Sequence, residues 1–132
     1  MPFVEIARQF LNDQGDLANH KYHDEMVSTV EYLLENAVGL DNAVRTDTII
    51  DHLKEECGYK INREEWQIKV LGTLRNEGIY IASHKSKGMF IISDENDARI
   101  VTQLMKNRIG TESDRLSFLV SLCRLNGWDI SV

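Results

Sequence analysis

One change of rhythm constrains this chain more than any other feature. Up to Gly78, apolar residues recur at three- and four-residue spacing, the period of an amphipathic helix; from Ile79 the pattern becomes that of strands. Ile79-Tyr80-Ile81-Ala82-Ser83 and Met89-Phe90-Ile91-Ile92-Ser93 flank His84-Lys85-Ser86-Lys87-Gly88. This predicts a hairpin with Gly88 in its loop. The expected class is therefore mainly α with a small β-hairpin.

The helical stretches can be placed by their stripes. Phe3, Ile6, Ala7, Phe10 and Leu11 predict a helix over about 2–12. Met26, Val30, Leu33, Leu34 and Ala37 predict a second over about 24–38, closed by Gly39. A third runs from Thr46, read as its N-cap, to Cys57, with Gly58 ending it. Asn62 opens a fourth, with Glu65 three positions on in a capping-box arrangement, and Trp66, Val70, Leu71 and Leu74 as its buried stripe. After the hairpin, Ser93 or Asp94 caps a fifth helix over about 95–108, and a last one covers about 113–126. The division expected from this order is 1–23 as an N-terminal helix and connection, 24–93 as the central domain, and 94–132 as a C-terminal helical pair.

Composition limits the function classes. The chain of 132 residues is 42% hydrophobic and 27% charged, with one proline, so a packed domain is expected rather than a low-complexity one. No apolar run approaches the length of a membrane span, and the first residues lack a basic or apolar leader pattern. The two cysteines, Cys57 and Cys123, fall inside helical patterns and are expected to be reduced, buried thiols, as in a cytoplasmic protein. Net charge is −6, which argues against indiscriminate adhesion to nucleic acid. The acidity is concentrated in residues 1–58, while 59–88 is locally basic through Lys60, Arg63, Lys69, Arg75, Lys85 and Lys87.

Helix, helix, helix and hairpin in this order meet a family pattern in the run from Leu74-Arg75-Asn76-Glu77-Gly78 through Ile79-Tyr80-Ile81-Ala82-Ser83 to His84-Lys85-Ser86-Lys87-Gly88-Met89-Phe90. This run resembles the recognition-helix end and wing of winged helix-turn-helix DNA-binding proteins. It is similar to the repressor domain of biotin ligase–repressors and to small winged-helix proteins of phages and prophages. The resemblance covers about 24–93, and its specific part is under twenty residues. It implies that the fourth helix enters the major groove while the hairpin tip lies against phosphates or the minor groove.

On that reading Lys69, Thr73 and Asn76 face the groove, with Lys60, Arg63, His84, Lys85, Ser86 and Lys87 completing the candidate DNA-binding set. An exposed hairpin tip also carries Lys and Ser for solubility alone. The helix is a thin reader: Glu65 repels phosphate, Ile68 is apolar and Gly72 offers no side chain. Gly72 would admit a close backbone approach, to DNA or another helix, or is simply tolerated. Gln67 falls inside the apolar arc and is expected as a satisfied buried amide, unless the helix is rotated from this reading.

The last helix is apolar over a wide arc, with Leu116, Leu119, Val120 and Cys123 in one stripe and Phe118, Leu122 and Leu125 in the next. A helix of that kind must bury two sides. Homodimerisation through Leu116, Leu119, Val120, Leu122 and Cys123 is the expectation, the alternative being that the chain's own helices cover everything.

Signals for catalysis are weak. His20 and His23 sit three apart beside Asp24, but a zinc site needs about four ligands and neither cysteine is in a paired motif. Glu55-Glu56 and Glu64-Glu65 point to different sides of their helices, and no acid stands two positions before a lysine as in metal-dependent nucleases. No phosphate-binding glycine motif or nucleophile elbow is present. The expectation is a non-enzymatic protein without metal or cofactor. It binds double-stranded DNA in a sequence-selective way, as a regulator or replication-associated factor of phage or mobile-element type. The alternative is a winged-helix adaptor that binds a protein partner and makes no DNA contact.

Overall fold

The computed structural model describes residues 2–58, 61–106, 112–128 and 130. Pro2, whose missing N–H costs nothing in a first helical turn, opens α1 (Pro2–Asn12), which turns Phe3, Val4, Ala7 and Phe10 inward. A 3₁₀ turn, Gly15–Asn19, leads to α2 (His23–Asn36), with Met26, Val30 and Leu33 buried. This helix stops short of the expected end: the Ala37 N–H donates to the Leu33 carbonyl, and Gly39 lies beyond it, opening a 3₁₀ turn at Leu40–Asn42. In α3 (Thr46–Cys57) the N-cap is Arg45 rather than Thr46, which is the first helical residue and is buried; Gly58 closes the helix in the left-handed region as expected.

Asn62 caps the next helix as its sequence predicts, its Oδ1 accepting from the Glu65 N–H at 2.7 Å. Three pieces follow without a break: Arg63–Glu65, a π segment Trp66–Leu71, and Gly72–Asn76. Together they form one rod, α4. Its side toward the core carries Trp66, Val70, Leu71 and Leu74, and the Trp66 Nε1–H donates to Thr29 Oγ1 of α2 at 3.2 Å. Gln67 departs from expectation, being exposed rather than buried. The reason is the π segment, in which the Gly72 N–H reaches back five residues to the Gln67 carbonyl. A wider turn advances less per residue, so Val70 and Leu71 return to the side of Trp66 and Gln67 is left outside a narrowed apolar arc.

The hairpin is shorter than its β-rich flanks suggest. β1 (Ala82–His84) pairs antiparallel with β2 (Gly88–Phe90), with Ala82 opposite Phe90, Ser83 opposite Met89 and His84 opposite Gly88. Residues on either side have other backbone partners. The Ile81 carbonyl accepts from Arg75 Nε and Nη2 at 2.9 and 2.7 Å, while the Ile91 N–H donates to the Ala37 carbonyl at 2.8 Å and the Ile91 carbonyl accepts from the Gly39 N–H at 2.8 Å. On the free edge of β2, Val44 and Met89 exchange two hydrogen bonds, at 2.9 and 2.7 Å. The connection between α2 and α3 therefore runs alongside β2 and ties the hairpin to the helices.

α5 (Glu95–Lys106) begins with Asp94, whose Oδ1 accepts from the Asp97 N–H at 2.8 Å, while Asp97 Oδ2 accepts from the Ser93 N–H and hydroxyl at 3.0 and 2.8 Å. α6 (Glu112–Leu125) packs on it. Tyr80 donates its hydroxyl to Met105 Sδ at 3.2 Å, and Phe3 stacks with Trp128 at 6.3 Å between ring centroids. One buried cluster thus extends from Phe3 to Ile130 and takes in helices and hairpin alike.

Both cysteines are free thiols, but only Cys123 is fully buried. Burial pushes the Cys123 thiol up to about 11; burial and then the nearby Glu25 carboxylate also raise Cys57.

Gly88 is held at φ +107°, and a Cβ there would lie 2.1 Å from the Val44 carbonyl oxygen, a backbone atom that cannot swing aside. Gly88→Ala is expected to cost about 3 kcal/mol in urea denaturation at unchanged m. At pH 8 a thiol reagent should label Cys57 in the native protein and Cys123 only on unfolding. A thiol raised on folding stays protonated where the unfolded chain ionises, so stability should fall as pH rises from 9.0 to about 11. Cys123→Ser should flatten that fall in alkaline melts.

Candidate nucleic-acid interface

The Val44–Met89 bonds place the start of α3 directly beside the middle of β2, and the first turn of α4 closes the third side. Between them lies an open cleft of about 230 Å³. Arg45, Thr46 and Asp47 line it from α3 and its cap, Arg63 and Gln67 from α4, and Ser83, His84, Lys85, Gly88 and Met89 from the hairpin. The N-terminus of α3 contributes backbone N–H groups and the positive end of its dipole to the same space. Arginine, lysine and helix dipole make this a place where an anionic oxygen is favoured.

Two carboxylates temper that field. Arg63 lies 3.9 Å from Asp47, and Lys87 lies 3.7 Å from Asp41. All four side chains are well exposed, so the pairs hold weakly and a phosphate would compete for the cations with little desolvation. His84 contributes to the shape of the tip: its Nδ1 accepts from the Ser86 N–H at 3.2 Å, which requires an unprotonated Nδ1. Lys85, Ser86 and Lys87 stand out into solvent beyond it.

Of the expected DNA-binding residues the cleft gathers Arg63, His84 and Lys85, with Ser86 and Lys87 at the adjoining tip. Lys69 and Asn76 are exposed farther along α4 and Thr73 is half-buried; none of the three lines the cleft. Lys60 lies outside the described residues. Glu65 does not face the groove side: its carboxylate accepts from the Tyr22 hydroxyl at 2.8 Å, and this bond, aided by burial, raises the Tyr22 phenol above its ordinary value. Arg75 is taken up by the Ile81 carbonyl and stacks 5.1 Å over the Tyr80 ring, so it braces the hairpin root.

Arg45 and Ser83 enter the site without having been singled out as binding residues, and Gln67 enters it although it was expected as a buried amide. Ser83 was legible as a hairpin residue opposite Met89, and Arg45 as the residue before a helix. Gln67 was hidden by the assumption of a regular helical turn. Ile68, next to it, is 57% exposed.

The last helix divides differently from its two expected stripes. Leu119, Val120 and Cys123 are buried within the chain's own core, Leu116 and Leu122 are half-buried, and Phe118 and Leu125 are 44% and 87% exposed. Phe118 also reaches toward Gly78, at the foot of α4. A second chain would therefore meet Phe118, Leu122 and Leu125.

The remaining histidines make local contacts. His20 Nδ1 accepts from the Tyr22 N–H at 3.0 Å, His23 lies 3.3 Å from Asp24, and His52 packs against the Tyr32 ring at 4.6 Å. Among the described residues no group of three or more His, Cys, Asp or Glu is arranged to hold a metal ion, and no helix is long and apolar enough to cross a membrane. Comparison of the chain with protein-family models, with curated proteins and with solved structures gave no significant match.

Proposed function

We propose that this chain is a sequence-selective duplex-DNA-binding protein with a winged helix-turn-helix core, acting as a regulator or replication-associated factor. The observation that carries the reading is the convergence of the α3 N-terminus, the exposed side of α4 and a cationic hairpin tip around one cleft. The bridges Val38–Ile91 and Val44–Met89 support the same reading, since they tie the connection between the first two helices of the trio to the hairpin and set the hairpin beside the third. In this arrangement α4 lies in the major groove, while Arg45, Arg63, Lys85 and Lys87 meet phosphates and Ser86 adds a hydrogen bond that fixes register. Lys69, Thr73 and Asn76 extend the contact along the groove. Each phosphate neutralised releases condensed counterions, which gives binding a steep dependence on salt.

The protein acts as a homodimer in this reading, with Phe118, Leu122 and Leu125 as the seam. Their spacing of four and three residues aligns them on one side of α6, and Leu125 is the most exposed large apolar residue described. A two-fold dimer would present two copies of the DNA-binding face to two half-sites.

A second reading, an adaptor that binds a protein instead of DNA, is favoured by the exposure of Ile68 on α4 and by the carboxylates of Asp41 and Asp47 beside the basic groups. The two separate by titration. Mixed-sequence duplex should bind at low salt, and Lys85→Ala with Lys87→Ala should weaken it about tenfold and flatten the log–log salt slope by about two. No duplex binding at low salt would turn the assignment to the adaptor. Solution mass should be twice the 15.2 kDa of one chain, and Leu125→Glu should return it to the monomer; a wild-type monomer at micromolar concentration contradicts the dimer.

A further inference from the structure

The π segment of α4 does more than interrupt a regular helix. At the usual advance of about 100° per residue, Gln67 sits between Leu71 and Leu74, on the core side. With the five-residue reach from Gly72 to the Gln67 carbonyl, Gln67 instead lines the cleft, together with Arg63 of its own helix and Ser83–Lys85 of the hairpin. The side chain is exposed and makes no hydrogen bond to any described residue, so its carbonyl and both amide hydrogens are available. Beside it, Ile68 projects an apolar side chain into solvent at 57% exposure.

We propose that Gln67 is the principal sequence-reading residue, pairing with an adenine in the major groove while Ile68 covers a neighbouring thymine methyl; this rests on the DNA-binding reading above. The chemistry selects the base. A carboxamide offers an acceptor and a donor side by side, which match the adenine N6 amino group and N7; guanine presents two acceptors at the same edge and leaves one amide group facing its own kind. An aliphatic side chain gains only from the thymine methyl. Both residues therefore favour A·T pairs. The flanking cations fix position without reading sequence, and the wide turn brings Gln67 to the same rim as those cations.

The test is selection of bound sites from a randomised duplex library, followed by affinities on the selected sites, for the wild-type chain, Gln67→Ala and Gln67→Glu. Gln67 is exposed, so both variants should melt with the wild type. The wild-type motif should contain an adenine whose replacement weakens binding roughly tenfold. Gln67→Ala should abolish the preference at that position and leave the salt slope, which counts phosphate contacts, unchanged. Gln67→Glu should move the preference to cytosine, whose amino group donates to a carboxylate. An unchanged motif in both variants overturns the assignment, as does wild-type binding with no sequence preference, and either result leaves DNA binding itself standing. Failure of the wild type to bind any duplex at low salt overturns both.

Discussion

The reciprocal hydrogen bonds between Val44 and Met89 hold the candidate site together. Without them the hairpin would be two three-residue strands joined by a three-residue tip, too short to hold a fixed direction in water. With them, β2 is paired on both edges and the segment leading into α3 is pressed against Gly88 so closely that no side chain fits there. The positions of Arg45 and Lys85 on opposite walls of one cleft follow from that contact. Arg75 secures the other leg, spending its guanidinium on the Ile81 carbonyl and on the face of Tyr80. A basic residue that counts toward the local charge in the sequence thus serves the framework.

α4 is fixed from behind. Trp66 is fully buried and bonded to Thr29, Glu65 is bonded to Tyr22, and Asn62 caps the first turn. The rod is therefore anchored at its N-terminal half, the same half that lines the cleft. A rigid backing under an exposed face suits a surface that must meet a partner in one register, because little side-chain or backbone order remains to be bought on binding. The acidity lies mainly in residues 1–58 and the local basic excess in 59–88, the stretch that supplies α4 and the hairpin tip of this face.

Much of the framework was legible in the sequence because it rests on local chemistry. Helices at Pro2–Asn12 and Thr46–Cys57 follow from apolar periodicity and the glycine after Cys57, and the Asn62–Glu65 cap follows from its spacing. The hairpin was legible for the same reason, although Gly88 opens β2 opposite His84 instead of lying in the loop. What was hidden depended on partners distant along the chain. Strand lengths were overestimated because Ile81 and Ile91 look like strand residues, while their backbone groups are claimed by Arg75, Ala37 and Gly39. Gln67 was misplaced because a π turn leaves no mark in composition, and Arg45 was overlooked because only folding brings residue 45 to residue 88. On α6, periodicity showed two apolar stripes but not which one the chain itself would cover; packing on α5 selected Leu119, Val120 and Cys123.

The central claim is that one face, made by the start of α3, the first turns of α4 and the hairpin tip, receives duplex DNA. Backbone amide chemical shifts of isotopically labelled protein, followed as a short duplex is added at low salt, test it residue by residue. The account predicts that the largest changes fall on residues 45–47, 63–68 and 83–88. Changes confined to α6, or to the α1 side of the molecule, would contradict it.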